Sequence, residues 1–202
     1  SPQQLVSPCE VNTNIRPFVA YSFRKPTTAA NPEQALWDPA FSANFTNGIG
    51  GTSYAHMVPG SRGTSNTEYS LKNARWTNSW QSNEAIVATR GPRTAASRAS
   101  GAGAILEHYD RTSNTLRFFG KSSAWQGNVA YNDNSVRLEA TFAPEATRCS
   151  PSSNTKLAWD DFLFADEYMA SDQEHGPYYL NAYLGIFTKA GPTIAEYGAI
   201  WD

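Results

Sequence analysis

Long apolar runs and charge are both scarce in this chain. No apolar stretch reaches the roughly 18 residues that a membrane-spanning helix needs, although hydrophobic residues make up 40% of the 202 residues. Charged residues supply only 17% of the chain, against about a quarter in an average soluble domain. The formal net charge of −2 gives no basic field for nucleic acid or an anionic membrane surface. We therefore expect neither a membrane span in this chain nor a nucleic-acid partner.

Cysteine is nearly absent, and the two that occur, Cys9 and Cys149, lie far apart in Pro- and Ser-containing segments. A zinc site needs more ligands at closer spacing. We predict a disulfide between them that ties the N-terminal segment to the body, with two free thiols as the alternative. A disulfide implies an oxidising compartment, and the surface is rich in neutral polar residues. The expected location is therefore extracellular or at the cell surface, and the opening Ser-Pro-Gln-Gln is interpreted as a mature or trimmed terminus.

Helical periodicity is rare because Gly, Pro and Asn interrupt the chain repeatedly. Segments of strand type are more numerous, and short connections between them favour antiparallel pairing. We predict a mostly β protein, an antiparallel sheet with long loops and one or two short helices, in which residues 1–202 form a single domain. The predicted strands are 18–23, 84–89, 104–109, 115–119, 127–131, 135–142, 178–187 and a tail at 194–201. Segments 32–36 and 159–169 are the helix candidates, and 48–63 and 94–103 are predicted surface loops.

The densest acidic group falls between residues 160 and 174 and is centred on Asp160, Asp161, Asp166 and Glu167. Carboxylates in a flexible loop are the ligands that calcium prefers, and a pair of them is also what a glycosidase uses as acid and base. The spacing matches no EF-hand loop, and acidic residues between apolar ones commonly mark a solvated face. The solvated face is the favoured interpretation, so no cofactor is predicted and calcium is the alternative.

Aromatic residues are abundant, with six Trp and ten Tyr. Trp76 and Trp80 are spaced to line one patch, and aromatic rings flanked by Asn and Gln suit sugars or subunit contacts. Asn44 begins an Asn-Phe-Thr acceptor pattern for N-glycosylation. The three histidines show no metal-binding spacing, and no Gly-x-Ser-x-Gly elbow accompanies them. These patterns allow glycan binding but predict no catalytic site.

The most regular passage is a hairpin around Asn132, Asp133 and Asn134. Val129 and Tyr131 share one face of the first strand, and the apolar residues of the second strand also alternate, which predicts a half-buried sheet. Asn and Asp tolerate the left-handed conformation and bond their own backbone. The tip is therefore predicted to be a turn, without a metal site.

Residues 125–139, WQGNVAYNDNSVRLE, resemble the C-terminal signature of prepilin-like or pseudopilin-like head domains of the H-x9-DG type, found in planctomycete-type bacteria. Residues 127–131 match the first strand of a motif close to GxNVLYxDGHVxF, and residues 135–138 match the second. Asn134 stands where the motif has glycine, and Ala124 and Trp125 stand where its histidine is expected. Residues 16–23 and 160–164 are similar to an early strand and a downstream segment of such heads.

The resemblance implies a pilin-like head that works in assembly or surface display, without chemistry. We predict a structural protein that self-associates, with copies of itself as the partner, and no enzymatic activity. An extracellular carbohydrate-binding module using Trp76 and Trp80 is the alternative. A polysaccharide-active enzyme using the carboxylates from Asp160 to Glu167 is the third hypothesis.

Overall fold

The computed structural model describes residues 1–57, 80–93, 109–120, 124–147, 162–164, 184–189 and 198–202. Short 3-10 helices occupy Pro2–Leu5, Asn114–Gly120 and Glu145–Thr147. The strands are β1 (Tyr54–Met57), β2 (Ala85–Thr89), β3 (Gly127–Tyr131), β4 (Val136–Glu139), β5 (Leu184–Lys189) and β6 (Gly198–Ile200). The described part of the chain is therefore mostly β, as the sequence predicts.

These strands form one antiparallel sheet in the order β4-β3-β2-β1-β5-β6. The hairpin of β3 and β4 is local, whereas β1 lies between β2 and β5, which are distant in sequence. β4 and β6 form the two edges of the sheet. Within the described ranges, no helix is long and apolar enough to cross a membrane.

One face of the sheet carries the core. Alternate residues of β1 and β3 point to this face, and Val129 and Tyr131 are completely buried on it. Trp125 lies against Phe164 with ring centroids 5.2 Å apart in an edge-on arrangement, the geometry that aromatic pairs prefer. The remaining cover comes from side chains outside the strands, which include Leu116, Phe142, Phe162 and Leu163.

The N-terminal segment is attached to this body by non-covalent contacts. Cys9 is half-buried and forms no disulfide within the described residues; Cys149 lies outside them, so the disulfide stays a prediction. The backbone N–H of Ser7 donates to Oγ of Ser53 at 2.5 Å. Ile15 forms a parallel bridge with Gly50 and packs in a small second cluster with Phe45 and Ile186.

A buried ion cluster is one of these attachments. Arg90, only 3% exposed, donates from Nε and Nη2 to the carboxylate of Glu10 at 2.9 and 2.7 Å. Nη1 lies 3.0 Å from Oδ1 of Asp202, an ion-pair distance at an angle outside hydrogen-bond geometry. The guanidinium also lies 5.2 Å from the ring centres of Phe45 and Phe118. The cluster thus joins Arg90 to Glu10, which lies 80 positions earlier in the sequence, and to Asp202, which lies 112 positions later.

Besides the helix candidate at 32–36, which forms an isolated turn, three predictions about local structure are wrong. Residues 18–23 form turns and bends. Tyr21 N–H donates to Phe18 O and Ser22 N–H donates to the Asp38 carboxylate, so these two donors are not available to a sheet ladder. Residues 115–117 form 3-10 turns, which the Ser113 hydroxyl supports by accepting Thr115 N–H, and a kink follows at Phe118 and Phe119.

The third error lies in the predicted loop 48–63. It contains β1, where burial alternates from Tyr54 to Met57 despite the neighbouring glycines. By contrast, the strands predicted at 84–89 and 127–131 are confirmed. The predicted helix 159–169 is described only at 162–164, where three buried residues lie in and beside a turn.

Candidate functional site

The hairpin tip is a turn closed by its own side chains. Asn134 has φ of 65°, the left-handed conformation that Asn tolerates better than most residues. Asn134 N–H donates to Tyr131 O at 3.0 Å and Tyr131 N–H donates to Ser135 O at 2.9 Å. Oδ1 of Asp133 accepts both the N–H and the hydroxyl of Ser135, at 2.9 and 2.6 Å. These bonds lower the pKa of Asp133 below its usual value, because they stabilise the charged form.

The base of the turn is fixed to the neighbouring strand. Asn132 is buried and donates from Nδ2 to the Glu84 carboxylate at 2.8 Å. Its backbone N–H donates to Glu84 O at 2.9 Å. These two bonds anchor the hairpin turn to the start of β2.

The second strand of the hairpin faces opposite to the sequence interpretation. The pairing places Val129 opposite Arg137 and Ala130 opposite Val136. Because cross-strand partners share a face, Arg137 lies on the core side and Val136 lies on the outer side. Val136 and Leu138 are consequently 67% and 54% exposed. The apolar alternation predicted from the sequence is real, but on β4 it points away from the core.

The polar residues of β4 are held on the inner side. The Tyr131 hydroxyl donates to Oε1 of Glu139 at 2.8 Å. The Arg137 guanidinium lies 4.8 Å from the centre of the Tyr131 ring, and Nη2 is 3.9 Å from Oδ2 of Asp133. Burial, together with Glu139, raises the pKa of Tyr131 well above its usual value. Charges of both signs therefore lie side by side along one edge of the sheet.

The backbone of β4 presents an open edge. Hydrogen-bonded and non-hydrogen-bonded residue pairs alternate along an antiparallel ladder. The ladder between β3 and β4 begins with the hydrogen bond from Tyr131 N–H to Ser135 O. Residues 137 and 139 consequently bond β3, whereas Val136 and Leu138 direct their N–H and C=O groups outward. Among the strands that the structure describes, none pairs with this side of β4. Such an edge is a template for another strand.

A second apolar surface, here called the aromatic loop, spans residues 16–41. Tyr21 lies at its centre, with ring centroids 4.9 Å from Phe23 and 6.2 to 6.3 Å from Phe41 and Phe18. Several large apolar side chains of this loop are exposed. They are Val19 at 83%, Phe23 at 72%, Leu36 at 100% and Trp37 at 70%.

Asp38 organises the aromatic loop from within. Its buried carboxylate accepts the N–H groups of Ser22 and Ala40 and the hydroxyl of Thr28, at 2.9, 3.0 and 2.9 Å. Its own N–H donates to the Tyr21 hydroxyl at 3.3 Å. The bonds from Ser22 and Ala40 lower the pKa of Asp38 despite its burial. The exposed side chains are thus mounted on an ordered scaffold.

The residues that the sequence marks as candidates are described only in part. Trp80 is 69% exposed with φ of 56°, and Asn44 is half-buried, its Oδ1 accepting from the Thr46 hydroxyl at 2.7 Å. In the described portion of the chain, no group of three or more His, Cys, Asp and Glu side chains is placed to hold a metal. Trp76 and the carboxylates Asp160, Asp161, Asp166 and Glu167 lie outside the described residues, and their proposed roles stay predictions.

The exposed edge was missed at the sequence level although one signal was available. Asn134 takes the left-handed position of a three-residue turn, and turn type sets the register of a hairpin. Two residues along each strand from the Tyr131–Ser135 pair, Arg137 lies opposite Val129. The charged residues of β4 therefore share the face of Val129. The outward orientation of Val136 and Leu138 follows from that register.

Comparisons with protein-family models, curated proteins and solved structures find no match to this chain. The resemblance to pilin-like heads therefore stays a prediction.

Proposed function

We propose that this chain is a structural subunit, of pilin-like type, that works by assembling with copies of itself outside the cell. The observation that carries the proposal is the β4 edge, where outward apolar side chains coincide with an open row of backbone groups. Val136 and Leu138 are more than half exposed there. Contiguous apolar surface on a soluble protein commonly marks an interaction site.

Two separate surfaces favour a repeated assembly over a simple pair. A contact between identical patches closes on itself and stops at a dimer, whereas extended assemblies need a further contact. The aromatic loop offers such a contact through Phe23 and Trp37, residue types that are enriched at subunit interfaces. The hydrogen bonds around Asp38 order the backbone that carries these side chains, which lowers the entropy cost of association.

Sedimentation over a wide concentration range, with electron microscopy of the concentrated protein, tests the proposal. We expect concentration-dependent association that Val136→Lys at the edge and Trp37→Lys in the aromatic loop each reduce, since each places a charge in a contact that excludes water. Asn47→Lys is the matched control, because it adds the same charge at an exposed polar residue and should leave association unchanged.

A protein that stays monomeric at the highest concentration would overturn the proposal. The alternative, glycan binding, is favoured by the exposed Trp80 ring. A monomer that binds a glycan array, and loses that binding in Trp80→Ala, would support it instead.

A further inference from the structure

The open edge of β4 is complementary to a second copy of itself. Val136 and Leu138 direct both their N–H and C=O groups outward, so an approaching antiparallel strand finds a donor and an acceptor at alternate residues. A two-fold axis perpendicular to the sheet brings β4 of a second copy into this orientation. This rotation leaves the core faces of both copies on one side of the joined sheet and the outer faces on the other side. It therefore extends the sheet without interruption.

This symmetry leaves only a few registers. In such an antiparallel pair, residue i of one copy faces residue j of the other, and i + j has the same value for every pair. Paired residues must also share a face of the sheet, so i + j must be even. The axis must consequently pass beside a residue and not between two residues. Each possible position of the axis pairs the charged residues differently. With the axis at Val136, the second strand would run past the turn at Asn134, where β4 has ended.

Charge decides among the remaining registers. An axis at Arg137 places Arg137 opposite its own copy, and an axis at Glu139 does the same for that carboxylate; like charges directly opposite are destabilising. An axis at Leu138 instead places Arg137 opposite Glu139 twice, on either side of a Leu138–Leu138 contact. In this register Leu138 forms a hydrogen-bonded pair, so the flanking Arg137–Glu139 pairs are of the closer, non-hydrogen-bonded kind.

We propose that two copies of this chain pair β4 against β4, antiparallel, with Leu138 on the two-fold axis and Arg137 facing Glu139 of the other copy. The pairing joins two six-stranded sheets into one. It rests on the proposed function of self-association, and it specifies the contact through which the first step of assembly occurs.

A charge-exchange experiment tests the register. Arg137→Glu and Glu139→Arg each place two like-charged pairs in the contact, so each variant alone should associate about tenfold more weakly, or worse, by sedimentation. An equimolar mixture should recover association to within about threefold of the wild type, because Glu at 137 then meets Arg at 139 and Arg137 meets Glu139. Recovery in the mixture also demonstrates that both variants are folded.

Arg117→Glu is the control, since it reverses an exposed charge outside both β4 and the aromatic loop and should neither weaken association nor be rescued by mixing. If the wild type associates but the mixture stays as weak as its components, this contact is wrong and self-association stands. If an equimolar mixture of Arg137→Glu with the wild type associates more strongly than either protein alone, Arg137 faces its own copy, the axis passes beside Arg137 and the proposed register is overturned. If the wild type does not associate at all, the proposed function fails and the contact fails with it.

Discussion

At the residue scale, a single carboxylate organises a surface that the sequence showed only as a run of aromatic and polar residues. The bonds that Asp38 accepts from Ser22, Thr28 and Ala40 require its charged form. These bonds lower its pKa, so the folded state binds a proton less readily than the unfolded chain. Asp38 therefore stabilises the aromatic loop at any pH above its unfolded pKa of about 3.9, and this contribution is lost as the pH falls through the lower folded value.

We expect Asp38→Asn to weaken the aromatic loop at neutral pH and to remove this part of its acid sensitivity. The NMR chemical shifts of the Tyr21 and Phe41 ring protons report on this loop, and can be followed from pH 7 to pH 2. Asp133→Asn is the matched control, because it also removes a carboxylate of lowered pKa but one that lies in the hairpin. The same acid transition in Asp38→Asn and in the wild type would contradict the role given to Asp38.

At the element scale, the end of β2 depends on a close approach between backbone and ring. A β-carbon at Gly91 would lie 2.0 Å from Cε2 of Phe164. That ring is fully buried and packs against Trp125, so it has little room to move. The short segment 162–164 is thereby held against the sheet.

We expect Gly91→Ala to destabilise the protein by about 1–3 kcal/mol, the usual cost of overpacking a well-filled core. Gly48→Ala makes the same chemical change where no atom lies within 4 Å, and its free energy of unfolding should stay close to that of the wild type. Urea unfolding followed by tryptophan fluorescence measures both. Equal midpoints for the two variants would show that Phe164 yields without cost.

At the scale of the whole molecule, the Arg90 cluster joins the N-terminal segment, the end of β2 and the last residue of the described chain. Glu10 and Asp202 are each only 4% exposed at the side chain. A buried pair contributes little compared with apolar residues of the same shape, but removal of one partner leaves uncompensated buried charge. Here that removal would leave two carboxylates together.

We expect Arg90→Ala to lower the free energy of unfolding by about 3–5 kcal/mol. Lys25→Ala breaks the Lys25–Glu33 pair, in which both side chains are 67% exposed, and should cost less than about 1 kcal/mol. Chemical denaturation of both variants gives the comparison. Losses of similar size would mean that the cluster is solvated in solution, and that burial does not set its importance.

Stability and the proposed assembly depend on different parts of the molecule. The Arg90 cluster and the core secure one face of the sheet and the chain ends. The β4 edge and the aromatic loop, in contrast, present apolar groups that no described residue covers fully. A subunit built for self-association needs both features, because its contacts must be exposed before assembly and held in place by a rigid body.

The sequence by itself determined the features that depend on near neighbours. Frequent Gly, Pro and Asn make helical periodicity rare, short alternating segments give the mostly β class, and Asn134 supplies the left-handed turn residue. These signals are local, since propensity and turn chemistry act within a few residues. The strands at 84–89 and 127–131 could therefore be located in advance.

Only the tertiary structure decided which side of each strand meets the core. Nothing near Val136 in the sequence states that Val129 faces Arg137, and a hairpin shifted by one residue would reverse every side chain of β4. The same applies to Arg90, whose partners at Glu10 and Asp202 are far away in the chain, and to β1, which gains its strand partners from distant segments. Burial and ion pairing depend on the meeting of remote residues, and that meeting turned an apolar pattern expected in the core into an exposed edge.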